Sequence, residues 1–231
     1  MTLPGGEISK RELHFIWIVD CSGSMRDDGK IQALNYAIRE AIPHMQREAE
    51  NNINANLLVS ALKFSTGAQW IIPPSSVNHF KWTDLDAKGE TDMGQALILL
   101  SEILRIPPMT SRGLPPVLVL ISDGQPTDNF EDGLKKLLSE PWGKKSIRVS
   151  IAIGEDANTS ILQKFIGEEQ ERRPLLAKNP EALTTYIKWV STVVQSSSAR
   201  PKSQDKKMLN TFSNVDIPKP PEIISSPADV W

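Results

Sequence analysis

Cysteine is almost missing: Cys21 is the single thiol in 231 residues. That excludes an internal disulfide framework and any zinc site built on several thiolates. Histidine is nearly as scarce. His14, His44 and His79 are scattered, so no imidazole cluster replaces the missing sulfur ligands. No apolar run reaches the roughly 18 residues that a membrane span needs. The opening MTLPGGEISKREL lacks the apolar core of a secretory signal. An excess of charge of either sign is missing too, with 26 Lys and Arg against 28 Asp and Glu. A formal net charge of -2 and no basic stripe offer nothing to a nucleic-acid backbone. No internal repeat is present, and no glycine-rich GxxxxGK phosphate loop. The expectation is a cytoplasmic protein with neither membrane nor nucleic acid as partner.

What is present is an alternation of apolar strands and amphipathic helices. Phe15 to Val19 is apolar throughout, as in a strand covered on both faces. In KIQALNYAIREAIPHMQREAE, residues Ile31, Leu34, Ile38, Ile42 and Met45 form one helical face, with Pro43 expected to kink or break it. NLLVSALKF and AQWII read as two strands of a hairpin turning at Ser65-Thr66-Gly67. DMGQALILLSEILRI reads as a helix stopped by Pro107-Pro108. PPVLVLISDG is a second buried strand running into an acidic turn. NFEDGLKKLLSE is a helix, SIRVSIAIG a strand, NTSILQKFIG a short helix ending at Gly167, RPLLAK a last short strand, and PEALTTYIKWVSTVVQ a long helix. The pattern predicts an α/β fold: an open, mostly parallel sheet with one antiparallel edge strand and helices on both faces.

The expected organisation is an N-terminal extension over 1–12, one domain over 13–195 and a tail over 196–231. The tail is rich in Ser, Pro and Lys and reads as flexible. It still carries apolar anchors, Phe212, Ile217, Ile223, Ile224, Val230 and Trp231, able to dock on a partner or back on the domain. Trp17 and Trp189 fall in apolar patterns and are expected in the core. Trp82 lies in the polar HFKWTDLDAKGET stretch and is a candidate for touching a partner near the functional face.

Open parallel sheets place their sites beyond the carboxyl ends of the strands. Three stretches fall there: Asp20–Ser24, KGETDMG and Ser122-Asp123-Gly124. Asp20, Ser22 and Ser24 alternate, so a loop leaving the strand can turn all three to one side. Thr91 adds a hydroxyl and Asp123 a second carboxylate. Two carboxylates and three hydroxyls form an all-oxygen set. Such a set suits a hard divalent cation, Mg²⁺ or alternatively Mn²⁺, with one coordination position left open. Taken singly, each residue has a plainer use. Asp20 suits a helix cap, Thr91 or Asp92 an N-cap, and Asp123-Gly124 a turn. Cys21 reads as a small packed residue, not a reactive thiol.

DCSGS at 20–24, Thr91 in GETDMG and ISDG at 121–124 resemble the metal-ion-dependent adhesion site of von Willebrand factor A domains. The stretches VDCSGSM, GETDMGQAL and ISDGQPTD are most similar to the bacterial TerY-type branch of that family, which is associated with tellurite-resistance and stress systems. Some of its members are encoded beside a kinase and a phosphatase. The resemblance implies the Rossmann-like vWA fold. It implies Ser22, Ser24 and Thr91 as direct metal ligands, with Asp20 and Asp123 acting largely through water. It also implies a cytoplasmic, metal-dependent protein-interaction module that takes an acidic residue of a partner, the kinase or phosphatase among the candidates.

Two other functions compete. A strand-end Asp20 is also where a phosphotransfer hydrolase keeps its nucleophile, but such enzymes need a second acid two residues on, and Ser22 stands there. Alternatively the metal site is idle, and the helical faces or the tail bind the partner.

Overall fold

The computed structural model describes residues 10–168, 171–198 and 217–223. Its six strands are β1 (Arg11–Asp20), β2 (Ala55–Ser65), β3 (Gly67–Ser76), β4 (Val117–Ser122), β5 (Ile147–Ile153) and β6 (Leu175–Ala177). They form one sheet in the order β3-β2-β1-β4-β5-β6, parallel except for β3. β2 and β3 meet in the predicted hairpin, with Gly67 at φ 79° on the far side of Thr66.

The apolar run of β1 is explained by what covers it. Phe15, Trp17 and Val19 face a core closed by α1 (Lys30–Asn51) and α6 (Pro180–Trp189). Ile16 and Ile18 face a second core closed by α2 (Met93–Ile103), α3 (Phe130–Ser139) and α5 (Thr159–Ile166). A strand with two dry faces has no position for a polar residue, so sequence alternation vanishes. A short helix, α4 (Pro141–Lys145), follows α3 and has no counterpart in the sequence reading.

Helix α1 runs through Pro43 without the expected break. Pro43 is exposed, so the carbonyl that loses its partner faces water and the cost of the missing N–H is small. Helix α2 stops at Ile103, before Pro107-Pro108. Helix α6 passes into a π-helical turn over Val190–Val194 and then into α7 (Gln195–Ser198).

Trp17 is fully buried, as expected. Trp189 is only half-buried and packs on the margin of the first core. Trp82 is half-buried: its indole N–H donates to Asn35 Oδ1 at 3.0 Å, and the same oxygen accepts the Leu85 N–H at 2.9 Å. Asn35 thereby pins the segment leading to the 88–92 loop, and Trp82 serves that loop's support. Of the tail anchors, Ile217 and Ile223 pack half-buried against the first core; Phe212, Ile224, Val230 and Trp231 lie outside the described residues. No helix among the described residues is long and apolar enough to cross a membrane.

Candidate metal site

The register of the sheet puts two strand ends together. Val19 of β1 stands opposite Ile121 of β4, so Asp20 and Ser122 leave the sheet side by side. Asp20 is fully buried. One of its oxygens accepts the Ser22 N–H at 2.8 Å, and the other accepts the Ser122 hydroxyl at 2.5 Å. Ser122 Oγ itself accepts the Gly124 N–H at 2.8 Å. One serine thus fixes both the carboxylate of β1 and the Asp-Gly turn after β4. Sequence reading gave Ser122 no role, because its partner lies 102 positions away.

Ser22 and Ser24 turn to the same side, with their hydroxyls 3.1 Å apart. Ser22 precedes the 3-10 turns of Gly23–Gly29 but makes no capping bond. Asp20 caps no helix either, since both its oxygens are bonded elsewhere. The capping alternative therefore does not account for either residue.

Thr91 arrives on a loop laced to both neighbours. On one side Lys88 N–H donates to Cys21 O at 2.8 Å and Gly23 N–H to Gly89 O at 2.9 Å. On the other, Thr127 N–H donates to Thr91 O at 3.0 Å, and Thr91 N–H to Thr127 Oγ1 at 2.9 Å. Thr91 is buried to 6% exposure. Among the described residues its hydroxyl bonds to none of the other four candidate side chains.

The start of α2 departs from expectation. Asp92 occupies the N-cap position without capping. Its carboxylate accepts instead from Gly67 N–H at 2.7 Å and Gln95 Nε2 at 2.8 Å. The free N–H groups of Gly94 and Gln95 are taken by Asp128, both at 2.8 Å. Asp128 and Thr127 thus join the loop after β4 to the start of α2 and hold Thr91 in place. Only the tertiary fold reveals either role.

Asp123 supplies the fit test for a metal. It is 2% exposed, and its Oδ1 has no hydrogen-bond partner among the described residues. Its backbone carbonyl accepts the Asn158 N–H at 2.6 Å, which fixes the turn. An orphaned buried carboxylate oxygen is costly unless a cation or water serves it. The Asp20 carboxyl is pushed up to about 6, first by burial and further by the charge of Asp123, against hydrogen bonds from Ser122 and Ser22. The charge of Asp123 acting on a buried Asp20, beside the paired hydroxyls of Ser22 and Ser24, suits a hard divalent cation. No group of three or more His, Cys, Asp or Glu comes together among the described residues, so a metal here would rest on two carboxylates plus hydroxyl oxygen. Cys21 is buried, and burial pushes its thiol up to about 12, so it is not a nucleophile at neutral pH.

Comparison with known proteins places this architecture. Residues 15–125 match the family model described as von Willebrand factor type A domain. No curated protein matches the sequence. Among solved structures, the chain is similar to an ArnB paralog from Sulfolobus acidocaldarius, with 20% identity over 78% of this chain and a TM-score of 0.58. It is similar to a von Willebrand factor type A protein from Catenulispora acidiphila, with 17% identity over 83% of this chain and a TM-score of 0.59. It is also similar to the pilus adhesin SpaC from Lactobacillus rhamnosus GG, with 13% identity over 78% of this chain and a TM-score of 0.62. The chain covers 45%, 43% and 30% of the length of these three proteins, respectively. The fold is therefore vWA-like, and the matched stretch takes in Asp20, Ser22, Ser24, Thr91 and Asp123.

Proposed function

We propose that this protein is a metal-dependent protein-interaction module, with Asp20, Ser22, Ser24, Thr91 and Asp123 as a metal-ion-dependent adhesion site for Mg²⁺ or Mn²⁺. The observation that carries the reading is Asp123 Oδ1, buried beside the buried Asp20 and without a partner among the described residues. The bound ion would supply a positive charge with a position open to an anionic oxygen. Everything else is the work of this chain. Ser122 holds Asp20 in one orientation; Asp20 in turn fixes the Ser22 backbone. The two hydrogen bonds from Lys88 and Gly23 hold the Thr91 loop against the serine loop.

The partner we assign is a protein of a bacterial stress-response or signalling system, presenting an exposed Asp or Glu, with a kinase or phosphatase as candidates. The likeness to a pilus adhesin, named for adhesion, supports binding over turnover. The geometry speaks against Asp20 as a nucleophile. It is fully buried with both oxygens engaged, and the position two residues on is a serine whose hydroxyl pairs with Ser24. A nucleophilic carboxylate needs a free oxygen and a nearby general acid.

The test is capture from the native cell on the immobilised protein, with partners identified by mass spectrometry. Capture is expected in Mg²⁺ and lost both in EDTA and in Asp123→Ala, while circular dichroism stays that of the wild type. Capture that survives both treatments would instead place binding on the helices or the tail.

A further inference from the structure

Residues 217–223, IPKPPEI, return to the domain and lie across the margin of the sheet. Ile217 and Ile223 pack half-buried on the first core, while Pro218, Lys219, Pro220 and Glu222 are exposed. Leu175 of β6, Tyr186 and Trp189 of α6 and the charged Arg172 and Arg173 before β6 line a cavity of about 430 Å³ together with Ile217 and Pro220. β6 is an edge strand of three residues and ends the sheet. Among the described residues, 217–223 make no hydrogen bond and no ion pair, so apolar contact alone seats them. Three of the seven are proline, which fixes an extended backbone at little entropic cost and removes three N–H donors.

We infer that the surface formed by β6 and α6 is a docking groove for proline-rich segments, and that 217–223 are its exchangeable occupant in cis. The occupant itself shows the chemistry the groove takes: a proline-rich core between two branched apolar anchors, sharing one cavity with a Tyr and a Trp. This is the arrangement by which aromatic-lined grooves read proline-rich chains. Two anchors without hydrogen bonds hold weakly, and unfilled space remains beside them. Eighteen residues, 199–216, separate the segment from α7, so the chain is long enough for the segment to leave its seat without disturbing α6. A partner with the same pattern takes the place of 217–223 when they lift. This surface is independent of the metal site.

The experiment uses the full chain carrying Ile217→Asp and Ile223→Asp together, which empties the seat but leaves the groove intact. The probe is a fluorescent, end-capped peptide Ile-Pro-Lys-Pro-Pro-Glu-Ile, followed by anisotropy. The peptide is expected to bind the double variant at least tenfold more tightly than wild type, equally in Mg²⁺ and EDTA. Adding Trp189→Ala, or the milder Tyr186→Ala, to the double variant is expected to remove that binding, with melting curves confirming the fold. Equal affinity for wild type and double variant, no binding to either, or binding indifferent to both Trp189→Ala and Tyr186→Ala would overturn the inference. A metal-site failure leaves these outcomes untouched.

Discussion

In EDTA at about pH 7.5, Asp20→Asn is expected to be more stable than the wild type, by up to about 3 kcal/mol. The sign follows from linkage. The Asp20 carboxyl is raised from 3.8 to about 6 in the folded chain, so the folded state holds its proton over a window where the unfolded state has lost it. Stability is full below about pH 4 and falls as pH rises through about 6. A rise of that size corresponds to about 3 kcal/mol. For a chain of this size that is a melting difference of roughly 6–12 °C. Asparagine removes the charge and keeps an acceptor for the Ser22 N–H. Near pH 4 the two proteins should melt together. Mg²⁺ is expected to reverse the order at neutral pH, raising the wild type and leaving Asp20→Asn unmoved. A variant less stable than wild type at pH 7.5 but equal to it near pH 4 would show that the Asp20 charge is itself stabilising and would contradict this.

The second large effect lies where α2 crosses α3. Gly94 and Gly133 let the two backbones touch. A methyl on Gly133 would fall on the Gly94 carbonyl, and one on Gly94 on the Asn129 carbonyl. Backbone cannot step aside as a side-chain tip can, so the helices must separate. Gly133→Ala is expected to cost about 3 kcal/mol, at the upper end of overpacking effects. Urea unfolding measures the loss. Because α2 begins two residues after Thr91, and Asp128 ties its first turn to the loop before α3, the same variant should also weaken Mg²⁺ binding. Gly113→Ala is the control: the added methyl meets nothing closer than 3.5 Å and should change neither property.

Much of this fold was legible because its signals are local. The unbroken apolar run of Phe15–Val19 announces a strand buried on both faces, and the serine, threonine and glycine at 65–67 announce a hairpin. Pro43 misled because a proline's cost depends on whether its orphaned carbonyl meets water, and the sequence does not state which face of α1 is wet. Helix α4 is too short to show a period. At the site, the alternation of Asp20, Ser22 and Ser24 was readable from spacing alone. The roles of Ser122, Thr127 and Asp128 were not, because each acts on a residue more than 30 positions away. The residues of the proposed site are written in the local sequence, and the contacts that orient them exist only in the fold.

In the proposed site, two buried acids and three hydroxyls hold a divalent cation. Calorimetric titration of Mg²⁺ into the full chain and into Asp123→Ala, at constant ionic strength, tests it most directly. One saturable site is expected in the wild type and none in the variant, with both proteins folded. Binding of equal affinity and stoichiometry in the two proteins, or no saturable binding in the wild type, would contradict it.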